Sequence, residues 1–326
     1  MSKLYPLKFK PVYKDKIWGG QKINTVLKRD FSPLPNCGEV WVLSGVEGNQ
    51  TEIEEGFLEG NELNELVEVY MGELVGDKVF EQYGNEFPIL IKFIDANDWL
   101  SIQVHPDDEL AMERHETLGK TEMWYILDAE EKSELISGFS KKVSKEEYVQ
   151  HLENKTLKNI MNFTPVEKGD VFYIPAGRVH ALGPGILLAE IQQTSDNTYR
   201  IYDWDRIDKM GMVRDLHTDL ALDALDFKVY DNYKTKYKEK PNQTAKMVES
   251  PFFTSNIIQL KQRLKKDYSE LDSFVILIAS EGSFDLTYDQ NTYLVKYGEV
   301  ILIPACIDKV ELHPQVNCKI LEVYIT

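Results

Sequence analysis

Lys168-Gly169-Asp170-Val171-Phe172-Tyr173-Ile174-Pro175-Ala176-Gly177-Arg178-Val179-His180 reads as a short β-strand, a turn and a histidine. The strand is Val-Phe-Tyr-Ile, rich in β-branched and aromatic residues. Gly169 opens it, and Pro175 and Gly177 close it. A second stretch, Tyr297-Gly-Glu-Val-Ile-Leu-Ile-Pro-Ala-Cys-Ile-Asp-Lys309, repeats the skeleton G-[DE]-V-x-x-I-P-A, with Lys309 in the place of His180. The echo predicts two similar β domains, the second without a metal ligand at that position. The polar run Tyr230–Asn242 is the expected linker. The expected division is 1–235, with helical insertions near 60–80, 108–118 and 144–160, followed by 236–326.

Outward from this stretch the chain continues as short strands separated by Gly, Pro, Asn and Asp. Glu39–Ser44, Pro88–Ile94, Trp99–His105, Glu122–Leu127, Ile186–Gln192 and Tyr199–Trp204 are further examples. Closely spaced strands of this kind predict a mainly β fold, an antiparallel barrel or sandwich. Helices interrupt it. Asn61–Val75 places Leu63, Leu66, Val67, Tyr70 and Leu74 at helical spacing. Asp108–Leu118 reads as a short charged helix. Ser144–Ile160 opens with Ser144 and Glu147 as a capping box, and Val143 and Tyr148 flank it as a hydrophobic staple.

The candidate chemistry lies in three of the strands. In Leu100-Ser-Ile-Gln-Val-His105, period two puts Ser101, Gln103 and His105 on one face. Glu122 heads Glu-Met-Trp-Tyr-Ile-Leu, and His180 follows the strand quoted first. Two imidazoles, a carboxylate and an amide oxygen suit a borderline divalent metal, zinc first, with a position left for water or substrate. Each residue has a plainer reading. His-Pro-Asp at 105–107 can be a local turn with Asp107 or Asp108 capping a helix, Glu122 an exposed strand residue, and Lys120 a solvated turn lysine. His115 reads as solvated, His151 as packed or solvated, and His217 and His313 as ordinary polar residues. Cys37, Cys306 and Cys318 read as inert small hydrophobes.

The 326 residues carry a formal net charge of −17 and are 43% hydrophobic. This balance is that of a globular chain and argues against nucleic acid and anionic membranes as partners. Three cysteines without CxxC spacing, an N-terminus without an apolar signal core and no stretch of membrane-span length predict a cytoplasmic protein. An anionic substrate would need local cations, for which Lys92, Lys120, Arg178 and Arg200 are the candidates.

G-x5-P-x-G-x2-H at 169–180 resembles the second cupin motif, with Gln103-Val-His105 where the first motif usually has H-x-H. Leu100-Ser-Ile-Gln-Val-His-Pro-Asp107, Lys120-Thr-Glu122-Met-Trp-Tyr, Gly38-Glu-Val-Trp41, Lys16-Ile-Trp-Gly19 and Ser195-Asp-Asn-Thr-Tyr-Arg200 resemble the short bacterial form of the type I mannose-6-phosphate isomerase family. The resemblance implies two cupin-like jelly-roll β-barrel domains with a few inserted helices. It also implies one zinc ion per chain, held by Gln103, His105, Glu122 and His180. The implied substrate is a phosphosugar: mannose 6-phosphate interconverts with fructose 6-phosphate through a cis-enediol. Arg200 is catalytic by this resemblance, and Lys92, Lys120, Ser101 and Asp196 line the pocket. A lysine beside a dication can serve as a base, so Lys120 is assigned proton transfer and Arg200 electrostatic stabilisation. Arg178 is a further candidate for binding substrate. Another metal-dependent cupin enzyme, such as an oxygenase, and a non-catalytic sugar-phosphate sensor are the rival readings. The chain is expected to be a monomer or a homodimer.

Overall fold

The computed structural model describes residues 3–208 and 211–326. It is mainly β, and by contact the chain separates into two units. One unit comprises Tyr13–Val40 and Phe93–Thr235; the other comprises the chain up to Val12, Trp41–Lys92 and Lys236–Thr326.

In the first unit two sheets enclose a core. One has the strand order Val171–Ile174, Glu122–Ala129, Ile186–Gln193, followed by those parts of Ile89–Ala96, Glu39–Leu43 and Val12–Lys14 that lie in this unit. The other runs Tyr199–Tyr202, Ile102–Val104, His180–Leu182, Glu134–Phe139, Met161–Pro165. Trp124, Ile126, Phe172, Ile174 and Leu188 of one sheet meet Leu135 and Leu182 of the other. The outer face of the smaller sheet, with Ile102, Val104, Ile136, Val179 and Ile201, is covered by Tyr148, Leu157, Ala221 and Leu225. The ladders stay open as a two-sheet jelly roll and do not close into a single barrel among the described residues.

The second unit repeats this design. Its larger sheet runs Val300–Ile303, Val275–Glu281, Cys318–Tyr324, Thr254–Leu260, Thr244–Glu249, and its smaller one Leu264–Asp267, Lys309–Pro314, Phe284–Tyr288, Asn291–Val295. Read from the repeated G-[DE]-V strand, the order matches the first sandwich. The register matches as well: Ile174 pairs Glu122 in the first, and Ile303 pairs Val275 in the second. His180 pairs Gln103, and Lys309 pairs Asp267. Val275, Lys309 and Asp267 therefore stand where the first sandwich has Glu122, His180 and Gln103.

The helices follow their local signals, with two breaks. The run expected at 61–75 is helical over Leu63–Tyr70 and Gly72–Val75, and a third helix, Asp77–Tyr83, follows. Met71 (φ 48) and Gly76 (φ 96) interrupt it in conformations no helix continues through. These helices pack within the second unit, where Phe87 lies 4.6 Å from Phe274 and the Asp272 carboxylate accepts the Asp77 and Lys78 amides. Ser144 caps Lys145–Glu153 by accepting the Glu147 amide at 3.1 Å; the helix then stops, and Leu157–Ile160 is a separate 3-10 turn. Asp107 caps Asp108–His115. The expected linker is not all solvated: Tyr233 is buried, and its hydroxyl donates to the Phe139 carbonyl. No helix among the described residues is long and apolar enough to cross a membrane. The three cysteines are unpaired, and burial pushes the Cys37 thiol up to about 11 and that of Cys318 to about 12.

Asp95, 1% exposed, accepts the Lys22 amide at 2.6 Å. Burial raises its carboxyl to about 6, against the lowering effect of that amide and of the Lys22 charge. A folded pKa above the unfolded one gives stability that is full below the unfolded value and is lost as pH rises through the folded value. Wild-type protein should therefore lose melting temperature relative to Asp95→Asn between about pH 4 and pH 7. Parallel pH profiles of the two proteins would contradict this.

Candidate metal centre

The antiparallel ladders bring the proposed ligands together on the inner faces of the first sandwich. Gln103 and His180 are register partners on adjacent strands, and Glu122 reaches them from the facing sheet. The Glu122 Oε2 lies 3.5 Å from His105 Nε2, and its Oε1 lies 3.5 Å from His180 Nε2. The amide of Gln103 lies 3.3 Å from His180 Nε2. Metal–ligand bonds of about 2.1 Å in tetrahedral geometry separate neighbouring ligand atoms by about 3.4 Å. The spacing thus fits one shared centre. His105, Glu122 and His180 are all buried, and their candidate ligand atoms fall within 4.8 Å of one another.

The imidazoles are oriented for ligation from behind. His180 Nδ1 lies 2.8 Å from the Arg178 carbonyl, and His105 Nδ1 lies 2.8 Å from the Asn197 carbonyl. A carbonyl only accepts, so each Nδ1 carries the proton and each Nε2 turns a lone pair to the centre. Burial pushes His180 down to about 4, which keeps its ring neutral near pH 7. The Gln103 amide turns its nitrogen toward His180, and its Oε1 accepts from Ser101 Oγ at 3.2 Å. A 180° turn of the amide places the oxygen at the centre and leaves Ser101 as acceptor, and the two orientations have the same shape.

The remaining candidates divide. Lys120 is 5% exposed, with Nζ 3.7 Å from Glu122 Oε2, so it joins the centre and is not a solvated turn residue. Arg200 pairs with Gln103 across the ladder and so shares its face. Its amide donates to His217 Nδ1 at 3.1 Å and its Nη1 to the Asp215 carbonyl at 2.9 Å; its Nε is buried without a hydrogen-bond partner among the described residues. Burial, and after it the nearby Arg214, lowers its pKa from the usual guanidinium value. Arg178 is occupied elsewhere: its guanidinium lies over Tyr230 and Tyr233, at 4.7 and 5.2 Å, and donates to the Tyr173 carbonyl. Its contribution here is the carbonyl that orients His180. Asp196 is exposed in the turn before Tyr199–Tyr202. Lys92 is grouped with the other unit, buried with its Nζ 4.8 Å over the Trp41 ring.

Sequence reading passed over several residues. Glu190 is buried and accepts the Trp124 Nε1–H at 2.9 Å, while the Trp124 ring meets His180 edge-on at 5.3 Å. Polar Glu190 and Gln192 alternate with apolar residues in Ile186–Gln193, a signal that was available. His115 is not simply solvated, since its Nε2 lies 2.8 Å from the Tyr199 hydroxyl. His217 supports the Arg200 backbone.

Sandwich and centre together define the cupin class of metal-site enzymes. The sequence profile of the phosphomannose isomerase type I catalytic domain matches residues 6–145, a span that holds Gln103, His105 and Glu122 but ends before His180. The mannose-6-phosphate isomerase of Streptococcus mutans is 36% identical over 293 residues, 90% of this chain and 90% of that protein. The crystal structure of the Bacillus subtilis mannose 6-phosphate isomerase superposes with a TM-score of 0.88 at 32% identity, covering 98% of this chain and 99% of that one. A zinc-bound holo mannose 6-phosphate isomerase shares the fold at 15% identity, with a TM-score of 0.80 over 98% of this chain and 99% of that one. The chain belongs to the type I phosphomannose isomerase family.

His180→Ala removes one of the two imidazole donors. Metal content measured by atomic emission should fall to background while the far-UV circular dichroism stays that of the wild type. Retained metal would remove His180 from the ligand set.

Proposed function

We propose that this chain interconverts mannose 6-phosphate and fructose 6-phosphate, with one divalent metal, zinc first, held by Gln103, His105, Glu122 and His180. The observation that carries this is the run of 3.3–3.5 Å separations that links Gln103, His180, Glu122 and His105 in turn at a buried point, in a chain of this family. Three neutral donors and one carboxylate would leave a bound dication with a net charge of about +1, which stabilises the oxyanion formed when a proton leaves the carbon beside a carbonyl. The zinc of the structural relative is a property of that protein, and the ligand chemistry supports the same ion here.

The protein's own groups supply the proton traffic. Lys120, held against Glu122 inside the sandwich, takes the C2 proton of the open-chain aldose in its neutral form. The C–H electrons form the C1–C2 double bond as the carbonyl pair moves onto O1, which gives the cis-enediolate. The O2 hydroxyl proton passes to O1, and O2 re-forms a carbonyl as Lys120 returns its proton to C1, which gives the ketose and restores the neutral lysine. Arg200 lies in the same row as Gln103 and is charged at any working pH, so it serves as a clamp for the enediolate or the phosphate and not as a base. Ser101 fixes the Gln103 amide. Substrate-binding roles for Lys92 and Asp196 are carried by the family resemblance. We assign the catalytic part to the first unit, within 1–235, and read 236–326 as a cupin-like copy without ligands. Unpaired cysteines support a reducing cytoplasmic setting.

A coupled assay for fructose 6-phosphate should show activity lost on chelation and restored by zinc; turnover that survives full metal removal would end the proposal. Lys120→Ala should keep its metal and lose about 100-fold or more in kcat. Near-normal turnover in that variant would take the base role from Lys120.

A further inference from the structure

Gln192 is 0% exposed and is the register partner of Glu122 across the ladder. Residues paired in this way point to the same face with Cβ atoms about 5 Å apart. Its side-chain nitrogen donates to two carbonyls, those of Gln193 and Ser195, each at 2.7 Å. A flipped amide would set its oxygen against both of them, so the orientation is fixed. The consequence is that Gln192 Oε1 is buried with no hydrogen-bond partner among the described residues. The neighbouring amide is different: Gln193 Oε1 accepts the Thr121 amide and its Nε2 donates to Asp108.

An orphaned buried acceptor costs about 1–3 kcal/mol. Here it also shares a row with a carboxylate, a second acceptor, which it can neither bond nor comfortably approach. What satisfies Gln192 Oε1 is a donor brought from outside the chain. Arg200 Nε and Ser137 Oγ are likewise buried without partners, and both lie in the row Arg200–Gln103–His180–Ser137. Arg114, Tyr148 and Arg206 also carry buried unpaired atoms elsewhere in this unit; those of Gln192, Arg200 and Ser137 stand in the rows that contain the proposed ligands, as expected where a polyhydroxylated molecule is received.

We propose that Gln192 is a positioning and specificity residue whose Oε1 accepts the hydroxyl hydrogen of the substrate at C1 or C2, the carbons between which the proton moves. This rests on the isomerase reading of the site and deepens it. No covalent step is assigned to the residue.

The test compares the wild type with Gln192→Met, which keeps the length and volume and removes the acceptor. Metal content, melting temperature and the dissociation constants for mannose 6-phosphate and its 1-deoxy and 2-deoxy analogues would be measured on the metal-loaded full chain, with calorimetry for the non-reactive analogues and KM and kcat for the substrate. The expected result is unchanged metal content and a folded variant that binds the complete sugar about tenfold more weakly, the value of one lost hydrogen bond to a buried group. With one of the two deoxy analogues the difference between the proteins should vanish. A penalty that persists with both analogues overturns the assignment, and so does a variant indistinguishable from wild type. Loss of metal in Gln192→Met would make the amide a ligand of the ion and equally overturn it. A wild type without isomerase activity would instead sink the reading beneath it, whatever Gln192 does.

Discussion

A carboxylate without solvent exposure, set between two imidazoles, governs the first sandwich. Moving such a group out of water costs several kcal/mol even after relaxation. Glu122 bears that cost with Lys120 Nζ 3.7 Å away and two histidine Nε2 atoms at 3.5 Å. Each Nδ1 is committed to a carbonyl, of Arg178 or Asn197, so each Nε2 is the nitrogen turned to the centre. Several electron-rich atoms thus converge on one point, an arrangement that a cation at that point turns from repulsive to attractive. The rest of the site follows: Ser101 on Gln103, Trp124 against His180, and Glu190 on Trp124 are contacts that hold these groups in place.

The sandwich makes this convergence possible by pairing rows. Strand register sets Arg200, Gln103, His180 and Ser137 side by side on one sheet, and Ile174, Glu122 and Gln192 side by side on the facing one. A slip of one residue in any of these strands would turn its polar groups out of the interior and its apolar ones in. The apolar alternates of the same strands, Ile102, Val104, Val179 and Ile201, pack under the helices and lock that register. Catalytic geometry and core packing are in this sense one constraint, imposed by the period of two.

Legibility in the sequence followed range. The alternation in 100–105 and the Gly–Pro–Gly–His spacing of 169–180 are local and stand as read; Ser144 caps its helix as read, but that helix ends at Glu153. Readings that depended on distant partners went astray. Arg178 read as a candidate for binding substrate, and the tyrosines it stacks on, more than fifty residues on in what read as a linker, were not foreseen. His115 looked solvated because Tyr199 arrives from 84 residues away. Glu190 and Gln192 sit in a strand whose apolar character hid them, although a charged residue in a fully buried run is the stronger signal. The break at Met71 was written in the glycines that follow it, and hydrophobic spacing alone overran it.

The second sandwich shows what the centre is for. It closes with the same strand order and register around Leu277, Phe284, Leu286, Ile301 and Leu312, and Val275 fills the position of Glu122. At the places of His180 and Gln103 it carries Lys309 and Asp267, an ion pair 3.2 Å apart, with side chains 71% and 56% exposed. Such a surface pair contributes little to stability. The fold therefore forms without buried ligands, and a sandwich that needed metal to fold would not tolerate this replacement. The second sandwich keeps one buried carboxylate, Glu322, but Lys266 meets it at 2.7 Å and the Tyr268 hydroxyl donates to it at 2.8 Å; the buried Glu122 beside two histidines has no counterpart there among the described residues, as expected of groups kept for chemistry and not for folding.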